Sequence, residues 1–324
     1  MTGEAEDDDE IQLEVDAAAE GLRLDRFLAD RVSGSSRSLI QKHIDEGAVL
    51  VNGAAPRRSA ATPLKAGDLV SYLVPAPEAV ELVAEDIPLE ILFEDAHVLV
   101  LNKPAGLVVH PAAGHPRGTL VNALLHHIKD LGGIGGELRP GIVHRLDQGT
   151  TGVMIVAKHD QSHRALVEAF QARTVQKRYL AVVTGIPTPE QGTIDTLFGR
   201  HPSDRKKFSS KVKTGKQAIT KYAVRERFAG GALLEVDLLT GRTHQIRVHL
   251  ADRGHPLIGD ATYGTRRSLS PRETALRTIV ERFARPALHA ERLALSHPMT
   301  GEPLVFTAPV PPDLVALLAA LRAL

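Results

Sequence analysis

The residues His-Arg-Leu-Asp-Gln-Gly-Thr-Thr-Gly occupy positions 144–152 and are followed directly by Val-Met-Ile-Val-Ala at positions 153–157. The second segment is apolar, short and rich in β-branched residues, which predicts a buried strand. Asp147 is therefore expected on a tight loop at the start of a core strand, where a fold can present one reactive side chain in a cleft. A purely structural alternative stays open, because aspartate next to glycine and threonine is common in turns.

Three further segments combine charged or aromatic residues with apolar neighbours: Asn-Lys-Pro-Ala-Gly-Leu-Val-Val-His-Pro at 102–111, Lys-Arg-Tyr-Leu-Ala at 177–181 and Gly-Arg-Thr-His-Gln-Ile-Arg-Val-His-Leu at 241–250. Gly-His-Pro-Leu-Ile-Gly-Asp follows at 254–260. Together with residues 144–152 and the Ala157-Lys158 pair, these segments resemble, in this order, the motifs of the RluA/RluD family of pseudouridine synthases. The resemblance runs from about residue 21 to the C-terminus. Thr151 stands where the family more often has serine, which keeps the hydroxyl group.

The resemblance implies both a fold and a function. The fold is α+β, with a mixed, mostly antiparallel sheet in the catalytic domain. The function is isomerisation of specific uridines in RNA to pseudouridine, with large-subunit ribosomal RNA as the expected substrate. The target base must leave the RNA stack, because two of its atoms react in turn with the same sugar carbon. An isomerisation needs neither a redox cofactor nor a metal, so neither is expected, and we expect a monomer.

The resemblance also assigns Asp147, Tyr179 and Arg247 as the catalytic residues. Cleavage of the C1′–N1 bond develops positive charge at C1′, which a carboxylate can stabilise, attack, or relieve by removing a sugar proton. A covalent adduct and a glycal-type intermediate are both compatible with Asp147. A carboxylate in an apolar pocket favours protonation unless a cation pairs with it. Arg247 is the expected partner, since its planar fork suits a carboxylate; a surface cation is the alternative.

Tyr179 is expected to stack on the flipped uracil or to act in proton transfer near C5, although a core tyrosine with a satisfied hydroxyl is the simpler alternative. Arg145 is expected to enter the RNA stack or to hold the phosphate of the flipped nucleotide. Leu257 or Ile258 is expected to form an apolar wall of the pocket. The histidines at 126, 127, 144, 244 and 249 match no zinc spacing, so no metal site is predicted.

Charge is distributed unevenly along the chain. The formal net charge of the 324 residues is zero, but residues 1–20 hold nine acidic residues and no Lys or Arg. Removing these nine from the 39 acidic residues leaves 30 against 39 Lys and Arg, so residues 21–324 carry a net charge of +9. A basic body is compatible with a polyanionic partner and also with an ordinary mixed surface. The absence of cysteine excludes disulfides and thiol chemistry.

The sequence predicts four regions: a disordered acidic tail at 1–20, a small module at 21–74, a Pro- and Glu-rich linker at 75–86 and a catalytic domain at 87–324. The module reads as two short helices followed by strands, and it resembles the alpha-L RNA-binding domain of the S-four type. Its basic side chains, among them Arg37 and Lys42, are expected to face RNA phosphates. A structural domain with a charged face is the alternative. No apolar run is long enough for a membrane helix and the acidic N-terminus is unlike a secretory signal, so a cytoplasmic location is expected.

Periodicity in the catalytic domain predicts strands at 91–93, 98–102, 153–157, 179–184, 218–224 and 232–238 and helices at 119–127 and 162–173. Residues 200–227 contain ten basic residues against two acidic ones, which predicts an exposed basic hairpin or loop. Because the chain also carries the motifs that resemble an RNA-modifying family, Lys206 and Lys207 are expected to contact the RNA backbone. A solubilising surface loop is the alternative.

Two rival functions remain open from the sequence. A non-catalytic RNA-binding or ribosome-assembly factor would need both basic regions but would have no need of the Asp147, Tyr179 and Arg247 combination. An enzyme acting on transfer RNA would share that combination. The N-terminal module and the resemblance to the RluD branch favour large-subunit ribosomal RNA, and with it a role in rRNA processing.

Overall fold

The structure is a computed structural model that describes residues 10–32, 37–74, 82–111, 115–129, 131, 140–204, 207–264 and 274–324. The chain divides into two units, Met1–Glu81 and Leu82–Leu324, each with its own hydrophobic core. Across the described residues, no helix is both long and apolar enough to cross a membrane.

The N-terminal unit is a three-stranded antiparallel sheet with two helices. In chain order its elements are β1 (Glu10–Glu14), α1 (Leu24–Arg31), α2 (Arg37–Asp45), β2 (Val49–Val51) and β3 (Leu69–Leu73). The strand order is β1-β3-β2, so the third strand lies in the middle. Both helices pack on the sheet through apolar side chains that include Phe27, Leu28 and Ile40, all fully buried. The two short helices predicted for this module are present, and so are strands after them, β2 and β3.

Part of the predicted disordered tail is ordered, which corrects the prediction for residues 10–20. Strand β1 pairs with β3 along its whole length, from Glu10 opposite Leu73 to Glu14 opposite Leu69. Val15 is buried in the core of the unit, and a 3₁₀ turn over Ala17–Ala19 is capped by the Asp16 carboxylate. The apolar residues alternate with polar ones here, so one face of the strand can be buried while Gln12 and Glu14 stay exposed to solvent. Residues 1–9 lie outside the described residues.

A buried carboxylate organises the two helices of this unit. The side chain of Asp25 is fully buried and accepts hydrogen bonds from Arg23, Arg37 and Gln41 at 2.6–3.0 Å. Burial opposes ionisation, but these hydrogen bonds outweigh it and hold the pKa of Asp25 well below its ordinary value. The guanidinium of Arg37 therefore has a structural partner, while its role in RNA binding remains a prediction.

The second unit is built on a ten-stranded mixed sheet. Its strands are β4 (Glu90–Glu94), β5 (Val98–Lys103), β6 (Thr151–Ala157), β7 (Gln176–Thr184), β8 (Gln191–Arg200), β9 (Phe208–Ser209), β10 (Lys216–Phe228), β11 (Gly231–Leu238), β12 (Leu288–Ser296) and β13 (Pro303–Thr307). They lie in the order β4-β5-β6-β12-β7-β11-β10-β8-β9, with β13 on β12. Only β6 and β12 pair in parallel among these strands. The predicted α+β fold with a mixed, mostly antiparallel sheet is confirmed.

In the described part of this unit, five helices accompany the sheet: α3 (Leu120–His127), α4 (Asp160–Gln171), α5 (Gln245–Asp252), α6 (Thr274–Arg282) and α7 (Pro312–Arg322). The predicted linker is wrong at its C-terminal end, because residues 83–86 are bound to α3. Asn122 donates from its side chain to the Val83 carbonyl and accepts the Glu85 N–H on its own carbonyl. This unit therefore begins at Leu82 rather than at residue 87. Residues 75–81 lie outside the described residues.

Candidate active site

The loop at residues 144–150 leads into β6, which pairs with β5 on one side and β12 on the other. Gly152 has φ +116°, and a Cβ atom there would lie 2.2 Å from the Ala290 carbonyl oxygen. Only glycine allows β6 to approach β12 so closely. The imidazole of His144 stacks on Phe170 and accepts the Ile155 N–H at 3.1 Å. Burial lowers the pKa of His144 to about 3, so the ring stays neutral and keeps this bond. The first and last residues of the motif thus fix the loop to the sheet.

Two cations, one fully buried and one partly buried, hold the tip of the loop. The Lys103 ammonium is fully buried and donates to the carbonyls of Pro104, Leu107 and Gln148 at 2.7, 2.9 and 3.3 Å. Burial lowers the pKa of Lys103 to about 8, and the nearby Asp147 charge acts in the opposite direction. The Arg285 guanidinium donates to the Gly149 carbonyl at 3.1 Å. Asp147 closes the turn with its backbone carbonyl, which accepts the Thr150 N–H at 3.0 Å. Its carboxylate is therefore not used in the turn.

The Asp147 carboxylate points to a guanidinium on α5. Arg247 donates through Nη1 to Asp147 Oδ2 at 3.0 Å, while its Nε and Nη2 donate to the two oxygens of Asp260 at 2.7 and 2.9 Å. The Arg247 and Asp260 side chains are 8% and 1% exposed, against 17% for Asp147. Burial opposes ionisation of Asp260, but Arg247 outweighs it and holds the pKa of that carboxyl below its ordinary value. Asp260 thus fixes the Nε and Nη2 edge of the guanidinium, and the third nitrogen, Nη1, donates to Asp147.

The loop before α5 is fixed by a second network. The buried Gln245 amide accepts from Thr240 Oγ1 and the Arg242 N–H, and donates to the Ile219 carbonyl and Thr220 Oγ1, at 2.8–3.0 Å. Residues 219–220, residues 240–242 and Gln245 itself therefore contribute five hydrogen-bonding groups to one network. This network sets the start of the helix that carries Arg247.

His244 faces the other oxygen of Asp147. Its backbone is left-handed, with φ +61°, and its Nε2 lies 3.9 Å from Asp147 Oδ1. The Tyr263 hydroxyl accepts the Phe208 N–H at 3.0 Å, and its oxygen lies 2.9 Å from His244 Nδ1, within hydrogen-bond distance. In the tautomer in which the hydroxyl donates to Nδ1, the ring proton of a neutral His244 is on Nε2, towards Asp147. Burial lowers the pKa of His244, which favours the neutral ring.

Tyr179 lies on β7, paired with Ala290 of β12 and Val236 of β11. The residue is 6% exposed, and its hydroxyl makes no hydrogen bond to a described residue. Burial, and then the Asp147 charge, raise the pKa of Tyr179, so the phenol stays protonated. The alternative of a core tyrosine with a satisfied hydroxyl does not fit this geometry, because the hydroxyl has no partner in the described part of the chain.

These groups meet in one cavity of about 600 Å³. Asp147, Tyr179, Arg247, Arg145 and His244 all line it, and so do the apolar side chains of Leu146, Leu238, Ile246 and Leu288. Thr150 also lines it, and its buried hydroxyl has no hydrogen-bond partner among the described residues. A buried, unpaired hydroxyl in a cavity wall suits a polar ligand. The volume and the mixed lining fit a small planar polar ring.

The structure brings four of the predicted residues together, namely Asp147, Tyr179, Arg247 and Arg145. Arg145 is exposed, with Nη1 3.4 Å from His110 Nε2. The other predicted RNA contacts lie elsewhere. Arg37 and Lys42 are on α2, where Lys42 pairs with Glu46 at 3.5 Å. Lys207 joins β8 to β9 and lies 3.8 Å from Asp204. Lys206 lies outside the described residues.

The predicted apolar wall is wrong. Leu257 and Ile258 are buried in two different cores, and neither is among the described residues that line the cavity. Sequence reasoning also assigned no role to Asp260, Lys103 or His244, although all three stand in the motif segments. The described residues contain no group of three or more His, Cys, Asp or Glu arranged to hold a metal ion.

The chain matches two family models. Residues 97–252 match the RNA pseudouridylate synthase family, and residues 22–70 match the S4 domain. RNA pseudouridine synthase YlyB of Bacillus subtilis is 44% identical over 96% of this chain and 98% of its own length. Ribosomal large subunit pseudouridine synthase D of Xylella fastidiosa is 47% identical over 96% of this chain and 92% of its own length.

The structural comparison agrees with these matches. Human RNA pseudouridylate synthase domain containing 4 is 30% identical, with a TM-score of 0.58 over 72% of this chain and 93% of the human one. The segment at 97–252 contains the Asp147 loop, β7 and α5, so it contains every residue that lines the cavity except Leu288. With an S4 domain ahead of that catalytic unit, the chain belongs to the RluA family of RNA pseudouridine synthases, which isomerise uridine in RNA.

Proposed function

We propose that this enzyme modifies uridines of large-subunit ribosomal RNA and that Asp147 is its catalytic carboxylate. The observation that carries the proposal is the state of that carboxylate at the cavity wall. Arg247 holds Oδ2, whereas Oδ1 accepts no hydrogen bond from a described residue and lies 3.9 Å from His244 Nε2, beyond hydrogen-bond distance. One oxygen is thus fixed by a cation and the other is free to meet a sugar carbon.

The reaction breaks the C1′–N1 bond, forms a C5–C1′ bond, removes the proton from C5 and places one on N1. Asp147 Oδ1 would stand at C1′, where positive charge develops as N1 leaves. Arg247 would keep the carboxylate ionised and oriented for that contact. Its hydrogen bonds to Asp260 prevent the fork from rotating towards the substrate. Both a covalent sugar–aspartate adduct and stabilisation of a glycal-type intermediate are compatible with this geometry.

The substrate class rests on the relatives and on the N-terminal unit. The proteins named ribosomal large subunit pseudouridine synthase D from Xylella fastidiosa and Xanthomonas campestris are 47% and 46% identical and are covered over 92% of their lengths. The S4 domain at residues 22–70 suits binding of structured RNA. A cytoplasmic location, where large subunits assemble in bacteria, follows from this proposal.

Mapping pseudouridine in ribosomal and transfer RNA, with and without the gene, tests the substrate. We expect one or more large-subunit sites to revert to uridine in its absence, and to return when the gene is restored. If only transfer RNA sites reverted to uridine, the substrate would be transfer RNA and not ribosomal RNA. An unchanged map in both RNA classes would refute the proposal.

Replacing Tyr179 by Phe should separate stacking from proton transfer. The ring face remains and the hydroxyl has no hydrogen bond to a described residue, so we expect RNA affinity to stay within about twofold of wild type. The single-turnover rate should fall by about 10²-fold or more, since a placed proton-transfer group contributes about 10²–10⁴-fold. A single-turnover rate equal to that of the wild type would mean that the Tyr179 hydroxyl takes no part in the reaction. Tyr222→Phe, on β10 and outside the cavity, is the matched control.

A chain that starts at Leu82 should keep its catalytic site but bind RNA less tightly. It retains the hydrogen bonds of residues 83–86 with α3 and lacks the basic side chains of the S4 domain. The slope of log affinity against log salt should become shallower by about 0.7–0.9 for each phosphate that those side chains bind. Affinity measured across salt concentrations decides this, and an unchanged slope would mean that the S4 domain does not bind the RNA.

A further inference from the structure

Two cations at the wall of the cavity have no carboxylate partner among the described residues. Arg173 and Lys177 both line the cavity, and neither makes an ion pair with a described residue. The Lys177 ammonium lies 5.5 Å from the centre of the Phe170 ring. Among the described lining residues Asp147 is the only acid, and Arg247 already holds it. This side of the cavity therefore has an excess of positive charge that the protein does not neutralise.

The two charges also act on each other. Burial lowers the pKa of Lys177 to about 8, and the charge of Arg173 acts in the same direction. Two cations held this near without an acid between them are unfavourable in the free protein. An anion bound at both would remove the repulsion.

Arg173 also stands in a backbone conformation that disfavours it. It follows α4 with φ +60°, its N–H donates to the Phe170 carbonyl at 3.3 Å, and the Thr174 N–H donates to the Ala169 carbonyl at 3.1 Å. This is the Schellman ending of a helix, in which glycine usually occupies the left-handed position. A cation at the C-terminal end of a helix gains some stabilisation from the helix dipole, but the left-handed backbone costs arginine more than it would cost glycine. The choice of arginine therefore points to a second role for its guanidinium.

The position of Lys177 indicates what the anion is. Lys177 and Tyr179 are two residues apart on β7, so they share a face of the strand about 7 Å apart. A base resting on Tyr179 would bring the phosphates of its own strand towards Lys177. We propose that Arg173 and Lys177 together bind one backbone phosphate of the RNA strand beside the uridine that enters the cavity. This inference rests on the proposed function, since it assumes that the base lies at Tyr179.

Arg173→Gly tests the proposal because it should change the melting temperature and the RNA affinity in opposite directions or change only the affinity. Glycine suits the left-handed position, so the melting temperature should stay equal or rise. RNA affinity should fall by about tenfold, the effect of roughly one charge-assisted contact. Lys177→Gln should weaken binding to a similar extent, and Lys177→Arg should restore it. Arg164→Gln removes an exposed charge from the same helix outside the cavity and should leave affinity near wild type.

RNA oligonucleotides with a single methylphosphonate linkage locate the contact. Each carries the mapped uridine and one uncharged linkage at a different place. One linkage should weaken binding of the wild type but have no further effect on Arg173→Gly or Lys177→Gln. Equal sensitivity of all three proteins at every linkage would overturn the proposal, and so would a lower melting temperature with unchanged affinity in Arg173→Gly. These are binding measurements, so they decide the phosphate site even if Asp147 proves dispensable for turnover.

Discussion

Replacing Asp147 by Asn is expected to abolish turnover and leave the protein folded. The change keeps the size of the side chain and lets its oxygen accept the Arg247 Nη1–H, but it removes the charge that the proposed mechanism places at C1′. We expect the single-turnover rate to fall by at least about 10³-fold, or ~4 kcal/mol in activation free energy. Arg247 retains both hydrogen bonds to Asp260, so no buried cation is left unpaired and the melting temperature should stay near wild type.

Release of tritium from C5-labelled uridine in RNA, measured beside thermal unfolding, checks this result. Asp195→Asn is the matched control, since that exposed carboxylate on β8 binds only the Gln217 amide among the described residues. It should leave the rate unchanged. If the Asp147→Asn protein is folded and its single-turnover rate lies within tenfold of the wild-type rate, another group must act at C1′.

The fold was predictable where local pattern and tertiary environment agree. The runs at 98–102 and 153–157 are rich in valine, leucine and isoleucine, and they form the buried strands β5 and β6. Strand β12 was not predicted, because Leu-His-Ala-Glu-Arg-Leu-Ala-Leu-Ser has good helix formers throughout. Its place between β6 and β7 overrides that preference. Strand β8 was missed because Gly192, Asp195 and Gly199 lower its strand propensity.

The site was predictable only in part. Asp147, Tyr179 and Arg247 came from the resemblance, since no local pattern brings residues a hundred positions apart into contact. Asp260 stands in a motif segment, but its role depends on a tertiary contact with α5 that the sequence does not reveal. The turn at Asp147 was predicted, whereas the separate roles of its two polar groups were not. The backbone carbonyl closes the turn, and the carboxylate binds Arg247 at the cavity wall.

Replacing Arg247 by Met should damage both activity and stability. The change removes three hydrogen bonds and leaves Asp147 and Asp260 without the cation between them. Removing one partner of a buried ion pair costs about 3–5 kcal/mol of unfolding free energy. Turnover should fall by about 10²-fold or more, as for removal of other oriented charges at reacting centres. Arg247→Lys keeps a charge but cannot bridge two carboxylates with a planar fork, so we expect an intermediate rate.

The loss of stability in Arg247→Met should become smaller as the pH falls. The pKa of Asp260 is held below its ordinary value in the folded protein, so the pair stabilises the fold above about pH 4 and stops doing so as the pH falls through the lowered pKa. The difference in melting temperature between wild type and Arg247→Met should therefore narrow on the acid side. A difference that stays constant from pH 7 to pH 3 would mean that poorer packing, rather than the broken ion pair, explains the destabilisation.

A double variant separates the two consequences. Asp260→Asn neutralises the more deeply buried carboxylate, and its side-chain oxygen can still accept the N–H groups of Thr262 and Tyr263. In the Arg247→Met background it should recover much of the melting temperature, because no uncompensated charge then remains at that position. It should not recover turnover, because Asp147 would still lack the cation that orients it. Recovery of the single-turnover rate together with stability would show that Arg247 serves only the fold, and that the ion pair to Asp147 plays no part in the chemistry.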